Sequence, residues 1–151
     1  MSEFWLAGEL MNSSILIELA LQARIRAYVP YSHFAVGAAL LDDSGKVWFG
    51  CNIENAAYSP TNCAERTAIF KAISEGSYNF DSIAIVGGPQ DIKRPQVFCP
   101  PCGVCRQVLR EFVNPQTFRL IFPKNQVLTL DELLPKSFGP QNLHSDPTVL
   151  N

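Results

Sequence analysis

The chemistry of this 151-residue chain centres on three cysteines and one glutamate: Cys63-Ala64-Glu65, and Cys102-Gly103-Val104-Cys105 some forty residues on. Each cysteine group stands where a helical pattern begins, so the three thiolates can converge on one metal ion. Glu65 lies two residues past Cys63, and positions i and i+2 do not share a helix face. It is therefore placed to handle a proton and not to act as a fourth ligand. Structural zinc sites usually close with four protein ligands, whereas three ligands leave the fourth tetrahedral position to water. Zinc lowers the pKa of such a water toward about 7, which makes hydrolysis at neutral pH possible. Glu65 can take that proton and pass it to a leaving amine. Three thiolates outweigh one Zn²⁺ by one unit of charge, which weakens the metal as a Lewis acid. The positive ends of two helices and the guanidinium of Arg66 oppose that excess, and Arg66 is expected to donate hydrogen bonds to the thiolates.

Other readings of the same residues stay open. Cys102-x-x-Cys105 alone is compatible with a redox dithiol, although that leaves Cys63-Ala64-Glu65 without a purpose. Cys99-Pro100-Pro101-Cys102 is a rival pair, and a fourth thiolate from Cys99 would close the site into a structural one. Cys51, inside a strand pattern, reads as a small buried hydrophobe. Neither His33 nor His144 has ligand spacing.

The elements that must position these groups can be read from periodicity. Ser13-Ser14 is a candidate N-cap for a helix with Leu16, Leu19, Ala20, Ala23 and Ala27 on one face, running to Val29-Pro30. Residues 36–41 and 46–51 flank Asp42-Asp43-Ser44-Gly45, a turn cluster that predicts a hairpin. A helix follows from about Cys63 to Ser74, then a buried strand over 82–86 and a helix from Gly103 carrying Val104, Val108, Leu109 and Phe112. Strands over 118–122 and 127–130 and a short helix over 131–134 complete the order α-β-β-α-β-α-β-β-α. Apolar strands separated by helices require cover on both faces, so the expectation is a three-layer α/β/α sandwich around a mixed sheet of about five strands. One domain spanning 1–151 is expected, with residues after about Gly139 forming a tail.

Composition bounds the partners. The formal charge is −2 with scattered Lys and Arg, so the basic stripe that polynucleotide binding needs is absent and a nucleotide-like ligand should be small. No run of about 18 apolar residues would span a membrane. The segment Met1-Ser2-Glu3-Phe4-Trp5-Leu6-Ala7 has no basic start or cleavage signature of an export signal, and five cysteines in such a chain imply reduced thiols and a cytoplasmic location.

Cys63-Ala64-Glu65 followed by Pro101-Cys102-Gly103-Val104-Cys105 resembles the signature of zinc nucleoside deaminases. Phe34-Ala35-Val36-Gly37-Ala38-Ala39-Leu40, the run from Asn52 to Ser59, and Glu132-Leu133-Leu134-Pro135 extend the likeness to the short cytidine deaminases, over roughly Leu16 to Leu143. The resemblance implies hydrolytic deamination of cytidine and deoxycytidine in pyrimidine salvage, with one Zn²⁺ per subunit. It implies Cys63, Cys102 and Cys105 as ligands, Glu65 as the proton carrier, Phe34 against the pyrimidine, the Ala64 backbone against the base, and Asn52 and Glu54 on sugar hydroxyls. In an extended segment i and i+2 point the same way, which independently suits a polyol. It also implies a homotetramer in which Phe138 closes a neighbouring subunit's pocket. A deaminase of another cytosine-bearing small molecule and a non-catalytic zinc module are the alternative functions.

Overall fold

The computed structural model describes residues 12–143; the leading segment Met1–Ala7 and His144 lie outside them. Helix α1, Ser13–Arg24, is capped by Asn12, whose side chain accepts from the Ile15 N–H. Strands β1, Phe34–Asp42, and β2, Val47–Cys51, form the hairpin, and helix α2, Ala64–Ser74, follows. Strand β3, Phe80–Pro89, leads through a long loop to helix α3, Gly103–Phe112. Strands β4, Arg119–Phe122, and β5, Gln126–Thr129, precede helix α4, Leu130–Leu133. The element order is the one the periodicity predicts.

The five strands form one mixed sheet in the order β2-β1-β3-β4-β5. Only β3 and β4 run parallel, joined by the crossover that contains α3; β1 pairs antiparallel with both β2 and β3, and β4 with β5. Each face is covered. On one, Leu16 and Ala20 of α1 pack against Ala39, Leu41, Ala84, Val86 and Ile121. On the other, Ala64, Ala68 and Ile69 of α2 and Leu109 of α3 pack against Leu40, Trp48, Ile83, Ile85, Leu120 and Phe122. The three-layer α/β sandwich is thus the observed architecture.

Two glycines set how closely the layers approach. A Cβ on Gly37 would lie 2.0 Å from the Ala20 carbonyl oxygen, and one on Gly50 would lie 2.1 Å from that of Ala64. Both obstacles are backbone, so any side chain at either position pushes a helix off the sheet. Gly50 therefore governs the depth at which the start of α2 sits.

Two expectations differ in detail. Helix α1 ends at Arg24, well before Val29-Pro30, because the chain is diverted into a bridge with the segment after β2: Tyr28 N–H donates to Asn52 O and Glu54 N–H to Tyr28 O. Asn12, not Ser13-Ser14, is the N-cap. Within the described residues, the segment after Gly139, where a tail is expected, forms a short 3-10 helix, Pro140–Leu143.

Candidate active site

The register brings one end of the sheet together with two helix starts. Phe34 opens β1 opposite Pro89, the last residue of β3, and Gly37 pairs with Cys51 at the end of β2. Helices α2 and α3 share a sheet face, with Cys63 and Cys102 as their N-cap residues. Neither cysteine makes a side-chain cap bond, so the first-turn N–H groups and the positive ends of both helices face the thiols.

The sulfur atoms of Cys63, Cys102 and Cys105 lie within 4.8 Å of one another, and Cys63 Sγ is 3.7 Å from Cys102 Sγ. Zinc–sulfur bonds of about 2.3 Å at the tetrahedral angle place two sulfurs about 3.8 Å apart, so the donor set fits a zinc ion. Cys99 stands outside this cluster. Its sulfur packs on β3, where a Cβ on Gly87 would meet it at 2.5 Å. Burial, followed by the negative groups Glu65 and Cys63, pushes its thiol up to about 11, so it stays protonated.

Without metal the cysteines divide their protons unequally. The hydrogen bond from Cys105 lowers Cys63 to about 5 against the effect of burial, with Arg66 and Cys102 adding to the fall. Cys105 is raised by the same bond and by its burial. Cys63 is thus a thiolate at neutral pH, a state suited to metal capture. Arg66 Nη2 donates to Cys63 Sγ at 3.4 Å and to Thr61 O at 3.4 Å, while its buried Nε has no partner among the described residues.

Glu65 is only 4% exposed. Burial first, and then the Cys63 thiolate, push its carboxyl up to about 7, opposed by its own N–H, by Cys105 and by Arg66. A carboxyl poised near neutrality beside a thiolate cluster can both accept and return a proton.

Two of the groups expected to hold a substrate, Asn52 and Glu54, bond to the approach and start of β1. Asn52 Oδ1 accepts from Val36 N at 2.8 Å, and its Nδ2 donates to Phe34 O at 2.9 Å. Glu54 accepts from the N–H groups of Tyr31 and Ser32, at 2.9 and 3.2 Å, and from the Ser32 hydroxyl. Those bonds, the Ser32 hydroxyl foremost, hold its carboxyl below the usual range against burial. Both side chains thus reach from one segment to the approach of β1, as their i, i+2 spacing requires, and both brace the backbone around Phe34. Each keeps spare capacity: the amide a second N–H, the carboxylate further lone pairs. Ala64 is fully buried at the first turn of α2. Phe34 is 39% exposed, and Phe138, on the chain after α4, is 59% exposed. His33 belongs to no metal-ligating cluster of the described residues. Cys51 ends β2 half-buried and lines a cavity of about 400 Å³ with Arg26 and Lys71.

Sequence reasoning missed Arg24. Its guanidinium, 6% exposed, donates to the carbonyls of Ala35, Gly88, Pro89 and Ile92 at 2.6 to 2.9 Å, tying α1 to the rim of the site. The available signal was a cation following Leu16, Ala20 and Ala23 on the apolar face of α1.

Comparison with known proteins supplies an independent line. A family described as "Cytidine and deoxycytidylate deaminase zinc-binding region" matches residues 11–120. The chain is 49% identical over 139 residues to a cytidine deaminase of Halalkalibacterium halodurans, covering 89% of this chain and 99% of that protein. It is 46% identical over 136 residues to one from Sporosarcina psychrophila, covering 88% and 96%. The crystal structure of cytidine deaminase from Burkholderia pseudomallei superimposes with a TM-score of 0.75 at 43% identity, covering 85% of this chain and all of that one.

Proposed function

The chain belongs to the cytidine and deoxycytidylate deaminase family, and from that membership we infer that it is a zinc-dependent hydrolase converting cytidine to uridine and ammonia. The observation that carries the reading is three sulfurs within 4.8 Å of one another beside a carboxyl buried to 4% exposure. Cys63, Cys102 and Cys105 would hold the ion, which when bound supplies a Lewis acid able to generate a hydrolytic nucleophile near neutral pH. Glu65 takes the proton released as water adds to C4 and delivers it to ring N3; it then takes the second proton from the new C4 hydroxyl, as the carbonyl forms and the C4–N bond breaks, and passes it to the departing 4-amino nitrogen, which leaves as ammonia. Arg66 holds the Cys63 sulfur and offsets the negative charge of the cluster. Phe34 lies against the pyrimidine, the Ala64 backbone against the base edge, and Asn52 and Glu54 take the sugar hydroxyls with the capacity their backbone bonds leave free.

The free nucleosides cytidine and deoxycytidine are the proposed substrates, in cytoplasmic pyrimidine salvage. No helix of the described residues is long and apolar enough to cross a membrane. A homotetramer is the proposed assembly. Ile25, Tyr28, Tyr31, Tyr58 and Phe138, 84, 55, 46, 71 and 59% exposed, are large apolar side chains of the kind that a neighbouring subunit covers. Tyr31 and Tyr58 already stack edge to face at 5.9 Å.

Absorbance of cytidine incubated with zinc-loaded protein tests the activity, because conversion to uridine changes the spectrum. Cytidine and deoxycytidine should turn over, while cytosine and cytidine monophosphate should be poor. Glu65→Ala should keep one zinc per chain and lose activity by about 10²- to 10⁴-fold; loss of the metal in that variant would refute the proton-carrier role.

A further inference from the structure

Among the described residues, the chain beyond α4 pairs with no strand, yet its backbone is fixed around Phe138 by helix α3. Gln107 Nε2 donates to Phe138 O at 3.0 Å. Arg110 Nε donates to Ser137 Oγ and its Nη2 to Gln141 Oε1, both at 2.8 Å. The guanidinium lies flat on Gly139, where a Cβ would meet Cζ at 2.5 Å and both terminal nitrogens within 2.7 Å. One turn earlier on the same face, Arg106 Nη1 donates to Leu133 O at 2.6 Å.

Arg110 is the unusual member. It is 8% exposed and has no carboxylate partner among the described residues, so a buried cation is spent on neutral acceptors of the C-terminal segment. Burying a charge is costly unless it is hydrogen-bonded, and these bonds form only when Ser137, Gly139 and Gln141 hold their observed places. The residues on both sides of Phe138 and its own carbonyl are thereby pinned, while its ring remains 59% exposed. An aromatic ring held rigidly out of its own core is built to enter another molecule's pocket at little entropic cost.

Resting on the reading that Phe138 closes the substrate pocket of a neighbouring copy, we propose that Arg110 is the positioning residue that sets how Phe138 is presented to that copy. Helix α3 then couples two pockets, with Cys102 and Cys105 serving its own subunit and Arg110, one turn and a half beyond Cys105, serving the next.

The test uses zinc-loaded full-length protein. Arg110→Met keeps the aliphatic volume and removes the donors. It should raise KM for cytidine about five- to tenfold, the worth of one aromatic contact. It should leave kcat within about twofold, with zinc content and sedimentation unchanged. Gly139→Ala, which lifts the guanidinium off a buried glycine, should reproduce the effect and decides the matter if Arg110→Met fails to fold. Co-expressed assemblies of Arg110→Met with Glu65→Gln should regain low-KM turnover, because live Glu65 sites then receive Phe138 from subunits with an intact clamp; no recovery overturns the proposal. Phe138→Ala separates the two readings. A raised KM there with normal KM in both clamp variants overturns the role of Arg110 alone, and a normal KM in Phe138→Ala overturns the reading on which it rests.

Discussion

At the level of single residues, the site is organised by who holds the proton and who holds the sulfur. Burial keeps the Glu65 carboxyl near neutrality, at about 7, while the hydrogen bond from Cys105 leaves Cys63 ionised, at about 5. Arg66 mediates between them. Its donation to Cys63 disperses charge that three thiolates and one divalent cation leave in excess, and its own pKa is raised by Cys63 and Cys105 against the effect of burial. Arg66→Gln can still bond Thr61 O but brings no charge to the thiolates. We expect zinc affinity and kcat each to fall by about 10- to 100-fold, measured by competition with a chromophoric chelator and by steady-state turnover. An unchanged zinc affinity would mean that the helix ends alone balance the sulfurs.

At the level of elements, the β1–β2 hairpin is closed on itself and tied to the loop after α2 through Asp42, which is 4% exposed and accepts five hydrogen bonds. They come from Ser44 N and Oγ, Lys46 N, Trp48 Nε1 and Ser77 Oγ, at 2.6 to 3.0 Å. Burial raises its pKa, yet the bonds from Ser44, Trp48, Ser77 and Lys46 outweigh it and the carboxyl sits below its usual value of 3.8. A depressed carboxylate stabilises the fold above its unfolded pKa, and that contribution is lost as pH falls through the folded value. Asp42→Asn should therefore cost about 1–3 kcal/mol at pH 7, read by urea unfolding, and the gap to the parent should shrink as pH drops below about 4. The hairpin was legible because Asp42-Asp43-Ser44-Gly45 is local turn chemistry. So were α2 and α3, whose starts are marked by the same cysteines that carry the chemistry. The end of α1 was not, since Val29-Pro30 is a valid stop but the bridge between Tyr28 and Ile53 acts first, and that bridge is a tertiary event between segments 25 residues apart. Arg24 and Arg110 escaped for a related reason: each is a cation satisfied by backbone or neutral side-chain oxygens from distant segments, and sequence spacing names no such acceptors.

For the whole molecule, the question is whether the zinc site holds the fold or the fold holds the site. Cys63 and Cys102 are 39 residues apart, and an ion between them would clamp the starts of α2 and α3. Yet both helices already pack on one sheet face through a continuous cluster from Ala64 and Ala68 to Leu109 and Phe122, and α1 closes the opposite face through a separate one. A core on both sides of a five-stranded sheet does not depend on a metal, in contrast to small zinc modules that unfold without it. What removal of zinc exposes is local: the Cys63 thiolate beside a Glu65 carboxyl that burial keeps from ionising freely. Chelation should therefore abolish deamination while leaving the far-ultraviolet circular dichroism unchanged at 25 °C. The melting temperature should fall by about 10 °C, since zinc at a thousandfold over its Kd contributes about 4 kcal/mol and each kcal/mol moves a chain of this size by about 2–4 °C. One equivalent of zinc should restore both. Loss of the circular dichroism signal on chelation would reverse the order of dependence, making the two helix starts a product of the metal and not its pre-formed cradle.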